Sequence, residues 1–388
     1  MPYILFDTPT DRANLMPFTL IRPIAGIRIG ILSIAEKWEK YLKMPCDFAT
    51  EAYLQSKYEV ALHSKDATFI NGSVCPNPDL LAAIEQLKVG QQLLASQNSN
   101  TLLAYRGKDL PSYEVVFFEG NYTKINFLYD IFTYNGEQIQ ADFHLLTHNR
   151  KSQGITDPHT IVYQPENIFV EEGAKLKACV LNAEKGVIYI GKNAQVQELS
   201  VIQGNFALCE GAVVNIGGKM RGDTTIGPFC KVGGEISNSV FFAYSNKAHD
   251  GFLGNSVIGE WCNLGADTNT SNLKNNYGEV KIWNFLQKDF LPTGKQFCGL
   301  MMGDFSKAGI NTMFNTGTVV GLSANIFGGG FPPKYIPSFA WGGAEGFEVF
   351  DFEKSIEVTA RMMQRRNQKL SEAEVAILRY VFDNERQG

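Results

Sequence analysis

An aliphatic residue returns at every sixth position along the middle of this chain. Ile190, Val196, Ile202, Leu208 and Val214 form the first run, with Gly191, Asn193, Gly204, Gly211, Asn215 and Gly217 between them. The same step joins Ile226 to Val232. It resumes, shifted by two, at Val240, Asn246, Phe252, Ile258 and Leu264, and a third run is Met302, Ala308, Phe314, Val320 and Ile326. A helix repeats at 3.6 residues and a strand at 2, so neither yields a period of six. A hexapeptide parallel β-helix does, because each hexad is one short strand and a turn with its apolar residue aimed into a shared interior. An ordinary all-β domain does not hold identical spacing for so long. The repeat predicts a β-helix over residues 165–345.

The flanks read differently. Residues 1–150 alternate short strands ("YILF", 3–6; "ATFING", 67–72) with helical stretches (31–42 and "PDLLAAIEQLK", 78–88). This predicts an α/β domain with a mostly parallel sheet, whose ligands would lie beyond the strand ends at "FDTPTDR" and "NGSVCPN". The hexads lapse between Asn269 and Phe297, which marks a long excursion from the coil, and such loops are often functional. "GGGFPPKYIPSFAWGG" (328–343) ends the coil. The tail, 350–388, has helical spacing interrupted at a capping box, Ser371 and Glu374, and is expected to cap the open end of the solenoid.

Composition excludes several classes. A net charge of −5 over 388 residues leaves no electrostatic footprint for nucleic acid or an anionic membrane. The one dense basic run, "RMMQRRNQK" (361–369), reads as a solvated helix face. Seven scattered cysteines with no C-x-x-C pair indicate neither zinc nor a disulfide framework, but buried thiols in a reducing compartment. No apolar run approaches a membrane span and no signal-peptide pattern opens the chain, so a cytoplasmic protein is expected.

One stretch on the predicted β-helix carries chemistry: "SNKAHDGFLG", residues 245–254. Histidine titrates near neutrality and serves as a base without large tuning. Acyl transfer to an amine needs such a base within hydrogen-bond reach of the nucleophile. His249 is therefore a candidate base, with Asp250 able to orient it only where the turn folds back. The alternative is a turn histidine bonded to backbone.

The segment "IGPFCKVGG…NKAHDGFLGNSVIGEWCNLGADTNTSNLKNNYG" resembles the acetyltransferase half of the bifunctional bacterial enzymes that make UDP-N-acetylglucosamine. Lys247-Ala248-His249, Leu253-Gly254 and Gly265-Ala266 followed by Asn272 keep the family's order. The resemblance implies a left-handed parallel β-helix, a homotrimer with clefts between copies, and acetyl-CoA as donor. It implies His249 as general base and Asn272 near the acetyl group, a place that "NNYG" (275–278) could equally fill, with Asn276 and Tyr277 as further substrate contacts beside Lys231 and Lys247. This sequence departs from the pattern. One residue is missing before His249, and the phosphate-holding Arg-Pro-Gly reads Gly233-Gly234-Glu235, leaving Lys231, Lys219 or Arg221 as substitutes.

The front domain resembles the sugar-1-phosphate nucleotidyltransferase half of the same enzymes, through "RANLMPFTLIRPIAGIRIGILSIAEKW" (12–38). Nucleotidyl transfer needs a glycine-rich phosphate loop, a lysine against the reacting phosphates, and a carboxylate holding Mg²⁺. Here the loop "DTPTDRANL" has no glycine, the lysine position is Ile24, and the metal aspartate is Ser73. Arg12, Arg22, Arg28 and Asn71 remain as sugar-phosphate or nucleotide contacts, and Asp130 and Asp142 as other carboxylates. Over its whole length the chain is similar to bacterial proteins described as probable sugar nucleotidyltransferases. Three functions are expected in turn. The first is acetyl-CoA-dependent acyl transfer to an amino-sugar phosphate or nucleotide sugar, with a degenerate front domain. The others are a working nucleotidyltransferase and a non-catalytic sugar- or nucleotide-binding trimeric scaffold.

Overall fold

The computed structural model describes residues 2–58, 66–96, 101–108 and 110–384. From Ile161–Tyr163 onward the hexads wind into a parallel β-helix with three sheet faces. One face stacks nine strands, Ile168–Val170 to Tyr335–Ile336, and is termed the docked face. A second, the grooved face, runs from Lys175–Leu176 to the closing hairpin of Ala340–Gly343 and Gly346–Val349. The third, the open face, stacks six strands from Ile161–Tyr163 to Phe252–Gly254.

The period of six is the signature of this winding. Ile190, Leu208 and Ile226 lie in register on the docked face, Val196, Val214 and Val232 on the grooved face, and Ile202 and Met220 on the open face. All are buried in one interior column system. Corners between faces take left-handed backbone at Leu199, Phe229, Tyr244 and Trp261, which is unfavourable for bulky residues. At one edge Tyr244 stacks between Phe229 and Trp261, with centroids 5.1 and 4.2 Å away, and this packing offsets part of that cost.

One coil departs from the expected register. Its inward residues are Phe241, Lys247 and Leu253, paired with Ile226, Val232 and Ile236, rather than Val240, Asn246 and Phe252. The corner before it is cut to Gly233-Gly234, so Met220 pairs with Ile236 16 residues on, where Leu208 pairs with Ile226 18 on, and one more residue is lost before Phe241, 15 after Ile226. Gly234 has φ of +70°, and a Cβ there would lie 2.6 Å from the Gly251 carbonyl, so the short corner requires glycine.

The front domain has a mixed sheet, not a mostly parallel one. The strands Asp47–Ala49, Tyr3–Phe6 and Thr68–Asn71 are parallel, and Leu102–Arg106 runs antiparallel to both its neighbours. The link from Gln91–Ala95 to Leu102–Arg106 is too short for a crossover, which forces the reversal. The helices Leu128–Thr133 and Asn135–Thr147 lie on the docked face. The outward-facing Val240, Val257, Met301 and Val319 of that face complete the front domain's apolar core.

The excursion is a clasp. Its antiparallel hairpin, Lys281–Asn284 with Asp289–Pro292, sends Val280 and Ile282 into the same core, and Asn284 bonds Asn14 at 3.0 Å. The tail helices, Phe352–Gln364 and Glu372–Asn384, do not cap the solenoid's end. They strap the edge between docked and grooved faces, packing on Phe305, Leu322 and Phe339 and on Leu20 of the front domain. The Ser371–Glu374 capping box is present. All seven cysteines are buried free thiols. Among the described residues no helix is long and apolar enough to cross a membrane.

Candidate active site

His249 sits where the strand Asn246–Lys247 leaves the grooved face and turns toward the open face. Its backbone is held, whereas its side chain is exposed and makes no hydrogen bond to any described residue. The imidazole lines a groove of about 780 Å³ running across several coils. Asp250 is also exposed and does not fold back onto the imidazole.

The groove is cationic. Lys231 and Lys307 stand on its floor, Arg365 and Arg366 on its far wall, and no described lining residue is acidic. Arg366 donates to Asn246 Oδ1 at 3.1 Å, which fixes the strap against the coil. Lys307 donates to the Phe305 carbonyl at 2.9 Å, and burial lowers its pKa. Arg365 follows the last turn of its helix, where a cation also meets the negative end of the helix dipole. The two arginines come from the basic run read as a solvated face. Nothing in their helical spacing told which side the groove would occupy.

Other expected site residues lie elsewhere. Lys247 is fully buried and faces the interior, so it contacts no ligand in the groove. Asn272 is at the next corner, between open and docked faces, bonded to Asn255 at 2.8 Å. Asn276 and the exposed Tyr277 belong to the loop beyond it, and none of the three lines the groove. Lys219 is on the open face, and Arg221 pairs with Glu235 there.

The front-domain candidates are committed to structure. Arg12 donates to Asp7 at 2.7 Å and to the Arg22 and Thr19 carbonyls. Arg22 makes a two-pronged pair with Asp304, and Arg28 holds the Ile31 carbonyl and Glu36. Asn71 bonds the Leu102 carbonyl and Ser73. Asp130 caps a helix through the amides of Asn126 and Phe127. Asp142 pairs with the buried Lys37 and accepts from the Ile31 and Leu32 amides.

The described residues around Ser73 do not fit Mg²⁺. The Ser73 hydroxyl lies 3.4 Å from Asp11, whose other oxygen is held by the Lys124 ammonium at 2.7 Å. Lys124 also donates to Asn126 Oδ1 at 2.7 Å. A divalent cation at Asp11 would meet a like charge already in place. Among the described residues no cluster of three acidic, histidine or cysteine side chains stands ready for a metal.

An α/β domain docked on a hexapeptide-repeat β-helix, with an exposed histidine in a cationic groove, defines the class of protein. Comparisons agree. Residues 3–151 match the family model described as sugar nucleotidyl transferase. The bifunctional protein GlmU of Methanocaldococcus jannaschii is 35% identical over 92 residues, covering 24% of this chain and 22% of that protein. A bifunctional sugar-1-phosphate nucleotidylyltransferase/acetyltransferase of Sulfurisphaera tokodaii is 34% identical over 95 residues, covering 24% and 23%. The chain thus spans about a quarter of the length of these curated relatives. A solved UDP-N-acetylglucosamine acyltransferase of Francisella novicida aligns over 58% of this chain and 90% of its own, at 12% identity and a TM-score of 0.29. The fold assignment stands on the strand pairings themselves.

Proposed function

We propose that this chain is an acyl-CoA-dependent acyltransferase that acylates the amino group of a phosphorylated or nucleotide-linked sugar in the His249 groove. The observation that carries this reading is an unpaired, exposed imidazole in a groove whose ionisable walls are otherwise all cationic. Such a groove suits a long ligand bearing phosphates, and two of its cations supply what the Gly233-Gly234-Glu235 departure removed.

Bound acetyl-CoA would supply a thioester-activated acyl group. His249 accepts the proton of the sugar amine as its nitrogen attacks the thioester carbonyl, and returns it to the departing sulfur. The C–N bond formed replaces the C–S bond broken. Lys231, Lys307, Arg365 and Arg366 hold ligand phosphates, Lys231 and Arg365 as exposed charges. In this reading the front domain is a degenerate nucleotidyltransferase domain that braces the β-helix.

The reading includes a homotrimer. Leu199, Ile216 and Ile310 line the same corner as His249 and are 75%, 67% and 71% exposed, an apolar edge that a second copy would cover. Packing copies around an axis would let Asn272, Asn276 and Tyr277 of one chain approach His249 of the next. The test is calorimetric titration with acetyl-CoA together with turnover on a panel of amino-sugar phosphates and nucleotide sugars. His249→Ala is expected to bind the donor normally and to lose turnover. Unchanged turnover in that variant would refute the assignment, and a stable monomer in sedimentation would refute the shared cleft.

A further inference from the structure

The grooved face's interior column reads Val214, Val232, Lys247, Leu264, Ala308 and Ile326, so a lysine occupies a position otherwise filled by aliphatic side chains. Lys247 is 0% exposed. Its stem continues the apolar column, and its Nζ donates to two successive carbonyls, those of His249 and Asp250, each at 3.0 Å. Of the turn's other carbonyls, that of Ala248 accepts from Asn215 at 2.9 Å and that of Gly251 from the Glu235 amide at 3.2 Å, and the Asp250 carbonyl also accepts from the Asp267 amide at 3.1 Å.

The turn therefore wraps around an ammonium. Gly251, at φ of +114°, completes it, and a Cβ there would approach Lys247 Nζ to 3.1 Å and the Thr268 carbonyl to 2.3 Å. Because the imidazole makes no hydrogen bond among the described residues, its place in the groove follows the backbone of residues 248–251. Among the described residues, the carbonyl of His249 accepts from Lys247 alone.

We infer that Lys247 is a positioning residue for His249, holding the catalytic turn from inside the β-helix without touching substrate. The inference rests on His249 being the base. Burial lowers the Lys247 pKa to about 8, against the pull of Asp250 and Asp267. An interior lysine opposed by burial is costly to keep, and an apolar residue would suit the column better. Its retention is accounted for by the two carbonyls it serves.

Lys247→Met keeps the stem and removes the donor. Hydrogen exchange of the turn, measured in the full chain, is expected to rise about tenfold or more over residues 248–251 while neighbouring coils keep their protection. The melting temperature is expected to hold or increase. With turnover as readout, kcat is expected to fall about 100-fold, since a misplacement near 1 Å costs that much, with KM for the acyl donor unchanged. Lys247→Gln, which offers a neutral amide donor, is expected to restore part of both signals. Exchange and kcat unchanged in Lys247→Met would overturn the inference. If His249→Ala retains turnover, the acyltransfer reading fails on its own. If His249→Ala is inactive while Lys247→Met retains kcat, only the positioning role fails.

Discussion

The joint between the two domains offers a test that needs no substrate. Arg22 of the front domain and Asp304 of the β-helix are 3% and 0% exposed, joined by two hydrogen bonds of 2.9 and 2.6 Å. Asp304 also accepts from the Glu260 amide at 2.6 Å, and Arg22 lies over the Phe242 ring at 5.3 Å. Two unit charges about 4 Å apart attract by about 4 kcal/mol at an effective dielectric near 20. Removing one partner leaves the other charge enclosed, which costs about 3–5 kcal/mol in comparable pairs. Without Asp304, Arg22 keeps the Phe18 carbonyl at 3.0 Å and, among the described residues, the partly exposed carboxylate of Glu260, 3.5 Å away. Arg22→Met and Asp304→Leu are each expected to lose about 3–5 kcal/mol. The double variant, which buries no charge, is expected to lose less than either single change. The assay is urea unfolding monitored by tryptophan fluorescence, since Trp38 lies in the front-domain core and Trp261 beside the joint. A double variant that loses the sum of both singles would show that the two side chains act independently and refute the reasoning.

Three further outcomes are expected. Lys231→Ala and Arg366→Ala should each weaken acetyl-CoA binding about tenfold, an effect that shrinks as salt is added, and calorimetry at two ionic strengths checks it. Magnesium or EDTA should leave the thermal midpoint unmoved, because Lys124 already neutralises Asp11; Mn²⁺ bound in an Asp11-dependent way, seen by electron paramagnetic resonance, would contradict this. The lowered pKa of Lys247, faced by Asp250 and Asp267, makes the folded state release that proton more readily than the unfolded one. Its contribution to stability should therefore rise between pH about 8 and 10.5, a rise absent from Lys247→Met in matched denaturant melts.

The β-helix was legible because each apolar hexad residue has one destination, and the period survives any change of neighbour. The one-residue slip at Phe241, Lys247 and Leu253 was not, since Asn246 and Phe252 satisfy the same spacing. Only the strand pairing shows which of two adjacent residues turns inward. His249 was legible as an exposed turn residue. Arg365 and Arg366 were not, because a basic helix face looks the same over solvent as over a groove. The front-domain arginines were misplaced for a related reason: Asp304 lies 282 residues from Arg22, and Asp7 and Glu36, 5 and 8 residues from Arg12 and Arg28, match no regular helix or strand spacing. The lysine taken as a ligand contact proved to face the interior.

The strap that walls the groove lies after every coil in the chain. A polypeptide emerging from the ribosome therefore completes His249, Lys231 and Lys307 before Arg365 and Arg366 exist. Its second helix then fastens across to the front domain, where Tyr380 stacks on Tyr53 at 4.1 Å and Glu374 pairs with Lys57 at 2.8 Å. A segment made before the coils and one made after them thus meet at one edge, so the groove acquires its far wall only after every coil has been made. Proteolysis just before Arg365 would leave a fully wound coil with an unwalled groove.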